Sequence, residues 1–78
     1  MKYNFTKKEI ETLELISHGL TNYDIAAYLH LSVRTIEMRL SNIKEKIVNV
    51  TNQPLTHRLL AIFAYKYIQS NGGLQHED

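Results

Sequence analysis

Four hydroxyl side chains, each just ahead of a helical run of apolar residues, divide this 78-residue chain into four short segments. Thr6, Thr21, Ser32 and Thr56 are of the residue type that accepts a hydrogen bond from the free N–H groups of a helix's first turn. Thr6 is followed three residues later by Glu9, and Thr21 by Asp24, the reciprocal pairing that marks a helix start. No segment alternates with period two over a useful length, which leaves an all-α fold as the prediction.

The first stripe, Ile10, Leu13, Ile16 and Leu20, places a helix at about 7–18, ended by Gly19, which tolerates a left-handed backbone. Ile25, Ala26 and Leu29 form the buried edge of a two-turn helix over about 22–30. Ile36, Leu40, Ile43 and Ile47 define one face of a helix over about 33–47 and leave Arg34, Glu37, Met38, Ser41 and Glu45 outward. The polar stretch 49–55 holds the only proline and is expected to be a loop. A fourth helix is expected over about 57–70, closed by Asn71-Gly72-Gly73. One domain over residues 1–73 follows, with 74–78 as a frayed tail.

Composition narrows the function. A chain this short buries only about 60% of its unfolded surface. With no cysteine, neither disulfides nor thiolate metal sites add stability, so tight helix packing or association must supply it. The longest strongly apolar run, Leu59 to Tyr65, is far short of the ~20 residues of a membrane span, and the N-terminus carries no signal-peptide apolar region. A cytoplasmic location away from membranes is expected. The chain is too short to enclose a substrate pocket of several hundred cubic ångströms, so it is not expected to be an enzyme. His18, His30, His57 and His76 show no ligand spacing, and neither a metal nor a cofactor is expected.

A two-turn helix, a turn near Leu31-Ser32 and a longer amphipathic helix make the layout of a helix-turn-helix. In that layout the second helix lies in the DNA major groove with its N-terminal residues at base edges. The net charge is only +1, but residues 21–58 hold five cations against three acids, a mild positive bias in the middle of the chain.

The residues carry the reading further. Phe5-Thr6-Lys7-Lys8-Glu9, Leu13-Glu14-Leu15-Ile16 and Gly19-Leu20-Thr21-Asn22 resemble the opening of the LuxR/GerE-type helix-turn-helix family. Asp24-Ile25-Ala26 with Leu29, Ser32-Val33-Arg34-Thr35-Ile36, Arg39-Leu40-Ser41-Asn42-Ile43 and Lys46-Ile47 continue the likeness without a gap over residues 5–48. Departures are Val48 where the family usually has glycine, a longer linker to the last helix, Glu37 at a position often held by Lys or Arg, and Arg39 at a frequent His. The start at Met1 matches the stand-alone, single-domain members.

The resemblance implies a sequence-specific, DNA-binding transcription regulator. Glu37, Met38 and Ser41 correspond to base-edge positions, where Glu37 can accept from cytosine N4 and Met38 can rest on a thymine methyl. Thr21, Asn22, Tyr23, Arg34, Thr35, Arg39 and Lys44 correspond to phosphate contacts. Members commonly dimerise through the last helix, which here is apolar nearly all round. Its side centred on Leu59, Ile62 and Phe63 is expected to cover the core. Ala61, Ala64 and Ile68, with Leu60 and Tyr67 at the edges, are expected to meet a second copy; the alternative is that the 49–55 loop folds over them. Against DNA stand Glu37 and the near-neutral charge, which suit a protein–protein module that binds another regulator or RNA polymerase.

Overall fold

Each of the four hydroxyl residues caps the helix that follows it. In the computed structural model, which describes residues 3–71, α1 spans Lys7–Ser17, α2 Asn22–Leu29, α3 Val33–Thr51 and α4 His57–Asn71. Thr6 Oγ1 accepts from the Glu9 N–H at 3.1 Å while Glu9 Oε1 accepts from the Thr6 N–H at 2.9 Å. Thr21 and Asp24 repeat the exchange at 3.2 Å in both directions. Ser32 accepts from the Thr35 N–H at 3.0 Å and Thr56 from the Leu59 N–H at 3.2 Å. The described residues contain no strand. Gly72, Gly73 and the tail 74–78 lie outside the described residues.

The helix ends follow from backbone chemistry. Gly19 takes φ +84 just beyond α1, a conformation open to a residue without Cβ. His30 closes α2 at φ 59, and the Leu31 N–H reaches back to the Ala26 carbonyl at 2.9 Å, the bond of a Schellman turn. The αL cap turns the chain sharply, so only three residues separate α3 from the end of α2.

Helix α3 runs four residues past its expected end at 47. Ile47 is buried and Val48 half-buried, so the apolar face continues. Asn49 is simply an exposed residue within the helix, and the stop is Asn52, at φ 59. Asn is the commonest non-glycine residue in that conformation. The linker to α4 is therefore 52–56, shorter than the expected 49–55.

The core joins Leu13 and Ile16 of α1, Ile25 and Ala26 of α2, Ile36, Leu40, Ile43 and Ile47 of α3, and Leu60 and Ala64 of α4. The last two correct the expected orientation of α4. Leu60 and Ala64 are 0% exposed, whereas Leu59 and Ile62 are each 47% exposed and Tyr65 56%. The helix is thus turned by about a third of a revolution from the sequence reading, at ~3.6 residues per turn. With apolar residues on every side, its composition does not select a face. Phe63 and Tyr67 are half-buried and pack against the same core.

Those two rings meet the chain's N-terminal segment. Tyr3 and Phe5 stack at 5.4 Å, Phe63 and Tyr67 at 5.8 Å, and the pairs meet edge-on, Tyr3 to Phe63 at 5.1 Å and Phe5 to Tyr67 at 5.2 Å. Offset-stacked and edge-to-face contacts are the favoured geometries of aromatic quadrupoles. Burial pushes the Tyr67 phenol above its ordinary pKa of 10.0.

Candidate nucleic-acid interface

Helix α3 carries its four core residues on one side, so periodicity places Arg34, Met38, Ser41 and Glu45 on the other and Glu37 at its margin. All five are exposed, and Met38 keeps 57% of its surface in water. The three expected base-reading residues, Glu37, Met38 and Ser41, thus lie together on one open surface of the first half of α3. Asn42 is exposed beside Met38 and belongs to the same surface.

The expected phosphate contacts divide into two groups. Arg34 is exposed, without an ion pair among the described residues, and Lys44 is half-buried and unpaired. Thr35 is half-buried, its hydroxyl 2.9 Å from that of Ser32, so it serves the cap. Arg39 is turned toward α1. Its Nη1 donates to Thr12 Oγ1 at 3.3 Å, and Thr12 is fully buried while donating to the Lys8 carbonyl at 2.9 Å. The rest of the guanidinium keeps its donors.

At the end of α2 away from the turn, the first N–H groups of that helix have no acceptor within it. Thr21 Oγ1 occupies only that of Asp24. Tyr23 stands 73% exposed beside them. Asn22 is half-buried, and its side-chain oxygen is sealed from solvent with no hydrogen-bond partner. A wide cavity of about 480 Å³ opens here, lined by Ile16, Gly19 and Leu20, by Thr21, Asn22 and Tyr23, and by His57 and Ala61 of α4. The fold thus brings His57 to the start of α2. Sequence reading missed it, because nothing local in the sequence relates a residue at the head of α4 to one at the head of α2.

Two polar ties hold α3 against α1. Besides Arg39 to Thr12, Lys46 Nζ lies 2.7 Å from Glu9 Oε1 and 2.9 Å from the Asn4 carbonyl. Residues 39 and 46 are two turns apart on one flank of α3, so the ties fix its rotation and thereby which residues it presents outward. Burial works against the charge on Glu9, but hydrogen bonds from Lys46 and Thr6 and the nearby ammonium outweigh it and hold the carboxyl below its ordinary pKa of 4.5. Among the described residues no helix is long and apolar enough to cross a membrane, and no group of His, Asp and Glu stands together as a metal site.

A short α2, an αL-capped turn and a longer α3 with an open polar face define a helix-turn-helix among the four helices of the described residues. The sequence comparisons place it more closely. Residues 3–63 match the family described as bacterial regulatory proteins, luxR family, and the chain belongs to that family, whose members are DNA-binding transcription regulators with a helix-turn-helix. It is 33% identical over 64 residues to the response regulator protein VraR of Staphylococcus aureus (strain Mu3), and to the proteins of the same name from Staphylococcus saprophyticus and Staphylococcus epidermidis. The match takes in 82% of this chain and 29% of each relative's length. No solved structure matches the chain significantly.

Proposed function

We propose that this chain is a cytoplasmic, sequence-specific DNA-binding transcription regulator that works by binding rather than catalysis. The observation that carries the reading is the joint exposure of Arg34, Glu37, Met38 and Ser41 on α3, the longer second helix of a helix-turn-helix whose first helix, α2, has an open N-terminus. In this proposal α3 enters the major groove and Glu37, Met38 and Ser41 meet base edges. Thr21, Asn22 and Tyr23, through the α2 N-terminus, hold one phosphate; Arg34, Thr35, Arg39 and Lys44 hold others. No cofactor takes part. A gel-shift titration with the DNA upstream of the protein's own gene, against a scrambled duplex of equal length, tests it; equal affinity for both would refute sequence reading.

The active form is proposed to be a homodimer through α4. Support comes from Leu59, Ile62 and Tyr65, which form an exposed apolar stripe, continued by Leu55 and Phe63 into a groove of about 260 Å³ under the 52–56 linker. Ala61 and Ile68 are half-buried at the margins of α4, while Tyr67 is engaged with the N-terminal rings. A two-fold axis along the stripe would set two recognition helices on half-sites about one DNA turn apart.

A second reading, a protein-binding module for another regulator or for RNA polymerase, is favoured by one observation: Glu37 is exposed on the reading face of a chain whose net charge is only +1. Carboxylates repel phosphates unless a cytosine amino group receives them.

A further inference from the structure

The far end of α2 presents a second surface of opposite electrical character. A groove of about 430 Å³ lies between the last turns of α1 and α2, lined by Glu11, Glu14, Leu15, His18, Leu20 and Tyr28. Its floor is the half-buried Leu15 and Leu20, and Tyr28 overhangs it with 67% of its surface exposed. On α1, residues 11, 14 and 18 share the face opposite the buried Glu9, Thr12, Leu13 and Ile16. Neither the Glu11 nor the Glu14 carboxylate has an ion-pair partner among the described residues.

The sign of the field here comes from two sources. Two unpaired carboxylates stand on the rim, and the C-terminal end of α1 adds a partial negative charge, about half an elementary charge for a helix. Nucleic acid is repelled from such a surface. An apolar floor with an aromatic overhang and an acidic rim is the complement of a helix bearing leucine-type residues on one face and Lys or Arg at its edges. Leu20 also lines the cavity at the start of α2, so the two surfaces adjoin there, while no residue of α3 lines this groove.

We infer that the groove between α1 and α2 docks a basic amphipathic helix of another protein. This goes beyond the DNA-binding reading and does not depend on it. Glu11 and Glu14 receive the cations, Leu15 and Leu20 the apolar side chains, and the Tyr28 ring covers the stem of the incoming helix.

The test uses the full chain, isotope-labelled, and two synthetic probes: a leucine–lysine peptide that folds as an amphipathic helix and its leucine–glutamate counterpart. The expected result is amide shift changes concentrated at Glu11, Glu14, Leu15, His18, Leu20 and Tyr28 with the lysine peptide and none with the glutamate peptide. Glu11→Lys with Glu14→Lys should weaken the lysine peptide by about tenfold or more, and Tyr28→Ala, a change at an exposed side chain, should weaken it several-fold. Both variants should keep the wild-type thermal transition and wild-type DNA titration. Shift changes centred on α4, or no loss in either variant, would overturn the inference. So would sedimentation showing that the double charge reversal abolishes self-association, since the occupant would then be a second copy of this chain.

Discussion

Lys46 on α3 and Glu9 on α1 form an ion pair, Nζ to Oε1 at 2.7 Å, in which the carboxylate also completes the cap of α1 by accepting the Thr6 N–H. One side chain therefore closes a helix and fixes a neighbouring helix. Hydrogen bonds to charged groups contribute about 1.5–3 kcal/mol when partly buried. Glu9→Gln keeps an oxygen for Thr6 and loses the charge, so a loss of about 1 kcal/mol is expected, read as a lower thermal midpoint. The pH dependence has a definite sign. Folding lowers the Glu9 pKa below 4.5, so the stabilisation is fully present above that value and is lost as pH falls through the lower, folded pKa. Urea unfolding across that window should fall more steeply for wild type than for Glu9→Gln; parallel curves would show that Glu9 is not coupled to folding.

The rotation of α4 separates core residues from surface residues in a way that mutation can read. Ala64→Glu places a carboxylate where Ala64 has no exposure, and the expected outcome is loss of the folded state. Ile62→Glu adds a charge at a half-exposed position and should leave a folded chain whose sedimentation shows monomer only. A folded, monomeric Ala64→Glu variant would contradict the packing of α4.

The four-ring cluster ties the N-terminal segment to α4. Phe5→Ala removes one stacked and two edge-on contacts and should cost about 1–3 kcal/mol. For a domain of this size each kcal/mol lowers the melting temperature by roughly 4–8 °C. Calorimetry showing no shift would mean that the cluster contributes nothing to stability.

Much of this architecture was legible in the residues. Thr6, Thr21, Ser32 and Thr56 announce four helix starts through chemistry that acts within one turn, and all four cap as expected. Periodicity alone placed Arg34, Glu37, Met38 and Ser41 outward on α3. The failures have physical causes. Asn49 was read as the beginning of a loop, although the αL stop is Asn52 and Ile47 and Val48 continue the apolar face. On helix α4 Leu60 and Ala64 are buried where Leu59 and Ile62 are expected, because a helix apolar on every side offers no preferred direction to read from sequence. Arg39, expected at phosphates, also donates to Thr12, 27 residues away, a contact that no local pattern in the sequence announces. His57 at the start of α2 is equally a product of tertiary packing.

Holding and reading should separate on α3. Arg34→Ala is expected to weaken specific and random duplexes alike, because phosphates carry no base identity. Met38→Ala or Glu37→Gln should instead change the preferred sequence, by about 1–3 kcal/mol at the affected base pair. A binding-site selection experiment that returns one and the same consensus for wild type and both reading-face variants would count against base contacts from these residues.

The central claim is that this chain binds DNA, and a fluorescence titration of the upstream duplex over a salt series tests it most directly. If a dimer neutralises about six phosphates, log K should fall against log[salt] with a slope near −5, given about 0.9 per phosphate. A slope near zero, or no saturable binding at low salt, would contradict DNA binding and leave the protein-binding reading of the α3 surface.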